Sequence, residues 1–241
     1  MKWLPKAAWL PDPSIQMPEK NSHHPDPHLY GALRALARFL FRLLTRLEVR
    51  GAENIPEDAP YMVVTNHLSA IDPPLVLAIF PRPITVFAAD THRHEFVIGE
   101  IMHRMGAIWV KRGEVDREAL RTALQVLKEG GVIGLAPEGT RSRTGGLLQG
   151  KIGAAYIAAH ASVPLVPIAL TGTEIGLPAV FRLTRPRITA TIGPPFQLRD
   201  CGGRPSRQDL DEYTETIMLT LARMLPERYR GVYREALAES Q

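Results

Sequence analysis

Residues 61–74 read YMVVTNHLSAIDPP, an apolar run followed by a polar turn and the start of a helix. The run Tyr61–Val64 has the length and composition of a short buried strand. Pro73 favours the first turn of a helix, and it disfavours a helical conformation at Asp72, the residue before it. The stretch therefore predicts a strand, a turn that carries His67, and a helix that begins at Pro73.

The same alternation of strand and helix continues along the chain. From Gly51 onward, short β-rich runs alternate with helical patterns, which is typical of βαβ units around a largely parallel sheet. We predict an α/β fold, a mostly parallel sheet flanked by helices, in one domain over residues 51–225, with a C-terminal tail over 226–241. The predicted strands lie near 60–65, 84–89, 106–110, 132–136, 164–170 and 187–192, and the predicted helices span 73–80, 95–105, 114–129, 151–161 and 206–225.

Charge, cysteine content and hydropathy exclude several classes of protein. The net charge is +4, and the surplus is confined to residues 1–50, which hold eight basic and four acidic residues. A basic surface spread over the fold, as in many nucleic-acid-binding proteins, is therefore not expected. Cys201 is the single cysteine, so no intramolecular disulfide can form. No apolar run reaches the length of about 18 residues that indicates a membrane-spanning helix.

The first fifty residues divide into a proline-rich arm over 1–28 and a predicted amphipathic helix over 29–50. Leucine and phenylalanine surround a stripe of arginines in this helix, a pattern typical of helices that lie in the interface of an anionic membrane. A helix packed on a protein core with a solvated arginine face gives the same pattern, and the residues alone leave both interpretations open. The predicted membrane contacts are Arg34, Arg38, Arg42 and Arg46.

His67 and Asp72 are a candidate acid–base pair. Ligands of open α/β sheets bind beyond the carboxyl ends of the strands, which is where His67 is predicted to lie. A histidine can act as a general base near neutral pH, and a carboxylate on its other ring nitrogen orients it. On one continuous helix a spacing of five residues separates two side chains by about 140°, so the pair meets only if His67 lies in the turn. The alternative is that Asp72 is simply a helix cap.

Three further segments carry short motifs. They are residues 106–112 (GAIWVKR), 137–142 (PEGTRS) and 163–168 (VPLVPI). The PEGTRS segment follows a predicted strand and contains an arginine whose side chain can bind a phosphate through two hydrogen bonds. Together with residues 66–72, these segments stand in the order and approximate spacing of the four motifs of the glycerolipid acyltransferases. The chain resembles the 1-acyl-sn-glycerol-3-phosphate acyltransferases in particular, over about residues 50–195.

The resemblance implies transfer of a fatty acyl group from acyl-CoA or acyl carrier protein to the free hydroxyl of 1-acyl-sn-glycerol 3-phosphate, forming phosphatidic acid. His67 would be the general base and Asp72 its orienting partner. The hydroxyl would attack the thioester directly, so no enzyme nucleophile, metal or bound cofactor is expected. Such an enzyme would work on the cytoplasmic face of the cell membrane as a peripheral or monotopic protein. By resemblance, the residues that bind the glycerol phosphate are Arg112, Glu138, Gly139, Thr140 and Arg141, with Lys111 as a further candidate.

Other interpretations of the sequence differ in the acceptor or in the protein class. The acceptor could instead be glycerol 3-phosphate, a lyso-aminolipid or a glycolipid. The family often has an aromatic residue at the position of Ala136 and a bulky one at that of Ala70, so the two departures leave the substrate open. A non-catalytic module that binds anionic membranes would explain the arginine stripe but not His67, Glu138 and Arg141.

Residues 145–152 (GGLLQGKI) nearly match a nucleotide-binding P-loop. Ile152 stands where that motif needs a hydroxyl side chain to bind magnesium, and the preceding strand is predicted to end about ten residues earlier. We therefore expect a flexible loop with Lys151 at the start of a helix.

Overall fold

The computed structural model describes residues 25–57, 60–93, 95–96, 98–111, 116–175 and 184–238. The predicted proline-rich arm lies almost entirely outside these ranges, and so does Arg112. Within them the strands are β1 (Arg46–Arg50), β2 (Tyr61–Thr65), β3 (Thr85–Ala89), β4 (Ile108–Val110), β5 (Val132–Leu135), β6 (Leu165–Thr171) and β7 (Arg187–Ile192). The helices are α1 (Pro27–Leu44), α2 (Asp72–Ile79), α3 (Ile98–Arg104), α4 (Arg117–Lys128), α5 (Gly153–Ala161), α6 (Arg207–Met224) and α7 (Arg234–Ala238).

The described strands form one sheet in the order β1-β7-β6-β2-β5-β3-β4. The five strands from β6 to β4 are parallel to one another, whereas β7 is antiparallel to β6, and β1 is parallel to β7. The predicted α/β class with a mostly parallel sheet is confirmed. Because β2, β5 and β4 run in the same direction, the loops that follow them leave the same edge of the sheet.

Helices cover both faces of the sheet, and the alternation of residues along β2 shows how they divide. Tyr61 and Val63 belong to one buried cluster, which includes Phe41 of α1 and Leu75 of α2. The intervening residues of β2 belong to a second cluster with the inward faces of α4, α5 and α6. Successive side chains of a strand point to opposite faces, so burial on both faces explains why the strand is apolar throughout.

The N-terminal helix is shorter than predicted. It ends at Leu44, and residues 46–50, which were expected to continue the helix, form the edge strand β1. Thr45 adopts an extended backbone, and its hydroxyl donates a hydrogen bond to the carbonyl of Phe41. Parallel pairing of residues 46–50 with β7 then satisfies backbone groups that the helix would otherwise have satisfied.

The C-terminal residues are also more ordered than the predicted tail. Two 3-10 turns, Glu227–Tyr229 and Gly231–Tyr233, lead into α7. Tyr229 and Leu237 are buried in a third apolar cluster that also contains Leu68 of the loop after β2. Burial of these side chains stabilises a segment that has little helical periodicity of its own.

Candidate active site

An open cleft of about 1600 Å³ lies at the carboxyl edge of the parallel strands. The loops after β2, β4 and β5 all contribute to its lining, as the strand directions require. Of the candidate site residues, His67, Asp72, Lys111, Gly139, Thr140 and Arg141 line it. The fold therefore brings residues separated by more than seventy positions in the chain into one site.

His67 lies in the turn before α2 and contacts Asp72. Its Nδ1 is 2.7 Å from Oδ2 of Asp72. The same carboxylate oxygen accepts hydrogen bonds from the backbone N–H groups of Leu68 and Ser69, each at 2.7 Å. Asp72 is 2% exposed and the His67 side chain 24% exposed, so a buried carboxylate holds a histidine that reaches the cleft. His67 thus lies in the turn and not on the helix, which is what a spacing of five residues requires if the pair is to meet.

The contact with Asp72 assigns roles to the two imidazole nitrogens. A carboxylate accepts a hydrogen bond, so Nδ1 carries the proton in the neutral ring. Nε2 then has the free lone pair, and it is the atom that can take a proton from a molecule in the cleft. The geometry matches that of a general base with an orienting carboxylate.

Hydrogen bonds from one side chain and from the main chain tie the His67 loop to its neighbours on both sides. The buried side chain of Asn66 donates to the carbonyl of Leu170 at 2.9 Å and accepts from the amide of Leu170 at 2.7 Å. On the side of β5, the N–H of Ser142 donates to the carbonyl of His67 at 2.8 Å. The main chain at His67 is thus fixed between β6 and the loop after β5.

Glu138 occupies a different position from the one expected of a substrate ligand. It is 1% exposed and does not line the cleft. Its two oxygens accept hydrogen bonds from the N–H of His67 at 2.9 Å and the N–H of Leu148 at 2.8 Å. Burial raises the pKa of Glu138, while these two N–H donors act in the opposite direction. The substrate-binding assignment is therefore corrected, because Glu138 joins two loops from beneath the site.

The polar and cationic side chains that line the cleft include three of the predicted binding residues and one neighbouring lysine. Lys111 follows β4, Thr140 and Arg141 follow β5, and all three are exposed. Lys151 also lines the cleft, although the sequence predicted only that it would start a helix, and that helix begins at Gly153. Its Nζ lies beside Gly139, and a β-carbon at Gly139 would be 3.1 Å from it. Gly139 has φ +65°, a backbone conformation that favours glycine, and the missing side chain leaves room for Lys151.

The predicted membrane contacts do not form one stripe. Arg38 and Arg42 are exposed on α1, but Arg34 is half-buried and donates to the carbonyl of Ile79 at 3.4 Å. Arg46 lies in β1, so it is not on the helix at all. Several large apolar side chains of α1 are nevertheless exposed, namely Leu36, Phe39, Leu40 and Leu43. In the described part of the chain, no helix combines the length and the hydropathy that crossing a membrane requires.

The chain is similar to a known protein family and to several named proteins. The family model described as acyltransferase matches residues 46–171. A 1-acyl-sn-glycerol-3-phosphate acyltransferase of Bacillus subtilis is 29% identical over 172 residues, which are 71% of this chain and 84% of that protein. The protein of the same name from Borreliella burgdorferi is 30% identical over 131 residues, 54% of this chain. The chain spans about half of the length of that Borreliella relative, 52%.

A solved structure shows the same fold. The crystal structure of the 1-acyl-sn-glycerophosphate acyltransferase PlsC from Thermotoga maritima superposes with a TM-score of 0.63 at 25% identity, covering 81% of this chain and 79% of that one. The region matched by the family model runs from β1 to the end of β6 and contains His67, Asp72 and the PEGTRS loop. The chain belongs to the acyltransferase family.

Proposed function

We propose that this protein transfers a fatty acyl group from acyl-CoA or acyl carrier protein to the free hydroxyl of 1-acyl-sn-glycerol 3-phosphate, giving phosphatidic acid. The observation that carries the proposal is the pairing of His67 with buried Asp72 at a cleft that also presents Lys111, Arg141 and Lys151. A base for a hydroxyl and cations for a phosphate are the two requirements of this acceptor. The names of the relatives point to the same substrate.

In the proposed reaction, His67 acts first as a base and then as an acid. Nε2 takes the proton of the acceptor hydroxyl while its oxygen attacks the thioester carbonyl carbon. The tetrahedral intermediate then collapses, the carbon–sulfur bond breaks, and the imidazolium returns the proton to the leaving thiolate. The carboxylate of Asp72 stabilises the imidazolium between the two steps, and no acyl-enzyme forms.

The cleft also offers apolar surface for the acyl chains. Its lining includes the exposed or partly exposed side chains of Ile98 and Met102 of α3, Val110 of β4 and Leu120 of α4. A site of about 1600 Å³ exceeds the usual size of a small-molecule pocket, which suits two substrates with long alkyl chains. Cationic and apolar lining in one cleft supports an amphiphilic acceptor.

The proposal is tested by CoA release from oleoyl-CoA in the presence of lysophosphatidic acid. The expected result is release that depends on the acceptor. Release without an acceptor would indicate a thioesterase instead. Release with glycerol 3-phosphate, a lyso-aminolipid or a glycolipid but not with lysophosphatidic acid would keep the chemistry and replace the acceptor. Inactivity with all acceptors and with both donor types, together with vesicle binding, would favour the non-catalytic membrane module.

Arg141→Ala is expected to raise the KM for lysophosphatidic acid about tenfold with little change in kcat. A charge-assisted hydrogen bond to a phosphate contributes roughly 1.5–3 kcal/mol, and its loss in the ground state appears in KM. Steady-state kinetics with varied acceptor measure the effect. Arg223→Ala is the matched control, because Arg223 is exposed on α6 and does not line the cleft. An unchanged KM with a lower kcat would show that Arg141 does not bind the ground-state phosphate.

We further propose that α1 docks the protein on the cytoplasmic face of the cell membrane. Phe39 is 62% exposed and Leu43 55% exposed, and Arg38 and Arg42 stand beside them on the same helix. Apolar side chains next to arginines suit the interface of an anionic bilayer. The partner is thus the membrane surface that carries the lipid acceptor.

Phe39→Ser is expected to lower binding to phosphatidylglycerol vesicles about tenfold. Withdrawing one large apolar side chain from lipid loses roughly 1.5–3 kcal/mol. Co-flotation with vesicles measures the bound fraction. Val232, an apolar residue that is 64% exposed near the C-terminus, provides the control variant Val232→Ser. Equal losses in the two variants would count against α1 as the docking element.

A further inference from the structure

Residues 226–238, which we call the C-terminal strap, return from the end of α6 to the active-site loops. The strap lies outside residues 46–171, the part of the chain that defines the family match. It comprises the two 3-10 turns and α7. Its contacts with the active-site loops are therefore not part of the four sequence motifs.

Three hydrogen bonds join the strap to residues 147–151. The N–H of Leu147 donates to the carbonyl of Tyr229 at 2.9 Å, and the N–H of Val232 donates to the carbonyl of Leu147 at 3.2 Å. The N–H of Gly150 donates to the hydroxyl oxygen of Tyr233 at 2.9 Å. Gly150, which makes the last of these bonds, directly precedes Lys151 in the chain.

The backbones approach so closely that the strap needs a glycine. Gly231 has φ +51°, and a β-carbon there would lie 2.0 Å from the carbonyl oxygen of Leu147. Behind this contact the hydroxyl of Tyr229 donates to Glu174 at 2.5 Å and accepts from the N–H of Gly172 at 3.2 Å. These bonds anchor the strap to the residues that follow β6.

The opposite side of residues 147–151 is bonded to the catalytic loops. The N–H of Leu148 donates to Glu138, whose other oxygen accepts from the N–H of His67. The N–H of Lys151 donates to the carbonyl of Pro137 at 2.8 Å. Residues 147–151 are thus held between the strap on one side and the PEGTRS and His67 loops on the other.

We infer that Tyr233 is a positioning residue of the active site, acting through residues 147–151 to hold Lys151 where it meets the acceptor phosphate. The kinetic consequence rests on the proposed function, whereas the anchoring of residues 147–151 does not. A lysine side chain loses considerable rotational freedom when it binds a ligand. If the backbone of Lys151 is already fixed, only the side chain has to be ordered, and the entropy lost on binding the phosphate is smaller.

Tyr233→Phe tests the inference, since it removes the hydroxyl that accepts from Gly150 and keeps the ring. The KM for lysophosphatidic acid should rise about fivefold, the effect of one neutral hydrogen bond, while kcat stays within about twofold. Tyr213→Phe is the matched control. Tyr213 is buried on α6, its hydroxyl donates to the backbone carbonyl of Arg199 at 2.8 Å, and it does not line the cleft.

A double substitution separates positioning from general loss of stability. Lys151→Met raises KM by itself, and adding Tyr233→Phe should then change KM by less than about 1.5-fold, because both changes act on one interaction. A full fivefold further rise in the double variant would overturn the inference. Equal increases in KM for Tyr233→Phe and Tyr213→Phe would overturn it as well.

Hydrogen–deuterium exchange tests the anchoring without substrate. Amides of residues 146–151 should exchange about fivefold faster in Tyr233→Phe than in the wild type or in Tyr213→Phe. Unchanged exchange in this segment would overturn the inference. A wild-type protein that transfers no acyl group to any of the acceptors from either type of donor would overturn the proposed function instead, and exchange would still decide whether Tyr233 anchors the segment.

Discussion

Replacing His67 with alanine is expected to lower the rate of acyl transfer about a thousandfold, within the range measured for loss of a general base. Of the two histidines that line the cleft in the described residues, His67 is the one paired with a buried carboxylate. The comparison to make is kcat for CoA release at saturating lysophosphatidic acid and oleoyl-CoA.

The fold should survive this substitution. The side chain of His67 is linked to the protein by its bond to Asp72, whereas the bonds to Glu138 and from Ser142 involve backbone atoms that alanine retains. The thermal unfolding temperature should therefore stay within about 2–4 °C of the wild type, the shift that 1 kcal/mol produces in a domain of roughly 150–250 residues.

His160→Ala is the control for the histidine substitution. His160 also lines the cleft, where its ring stacks on Tyr156 and its Nδ1 contacts the carbonyl of Tyr156. Its loss should change kcat by no more than about threefold, because no carboxylate among the described residues holds it as Asp72 holds His67. Substantial activity in His67→Ala, or an equal loss in His160→Ala, would defeat the assignment of His67 as base.

Asp72→Asn is expected to lower kcat about a hundredfold while keeping the turn intact. One oxygen of Asp72 accepts all three of its hydrogen bonds, from Nδ1 of His67 and from the N–H groups of Leu68 and Ser69. An asparagine can place its carbonyl oxygen at the same point, so the orientation of the ring and its tautomer are kept. Stabilisation of the imidazolium by a full negative charge is lost, and the rate falls for that reason.

Comparison of Asp72→Ala with Asp72→Asn separates the loss of the negative charge from the loss of the hydrogen bonds in the turn. It removes the acceptor for two buried N–H groups, each of which costs about 1–3 kcal/mol when left without a partner. The alanine variant should therefore unfold at a lower temperature than the asparagine variant. If Asp72→Asn retains nearly full activity, the carboxylate serves the turn alone and not the histidine.

The sequence by itself determined the class of fold and the position of the site within it. Apolar runs such as Tyr61–Val64 and residues 132–135 identify strands because a strand buried on both faces excludes polar side chains. Pro73 and the glycines after Lys128 mark the ends of elements through local backbone preferences. Since parallel strands bring their following loops to one edge, the location of His67 and Arg141 at the same end of the sheet also followed from the pattern.

Local patterns could not determine which backbones pair across the sheet. Residues 46–50 continue the apolar spacing of α1, yet they form a strand because β7 offers an unpaired edge. The antiparallel direction of β7 was not expected from the alternation of strands and helices either. Both features are set by hydrogen bonds between separate segments, Arg46 pairing with Arg187 in one case and Thr171 with Thr189 in the other. The spacing of residues within one segment contains no information about them.

Tertiary structure alone decided the roles of the residues around the catalytic pair. Glu138 lies within a motif rich in polar groups, but two backbone N–H groups from separate loops turn it inward as a buried link. Lys151 reaches the cleft because Gly139 leaves room for it, and Tyr233 reaches Gly150 across 83 positions of sequence. Sequence patterns place residues on elements, whereas the contacts between elements decide which polar groups remain free for a substrate.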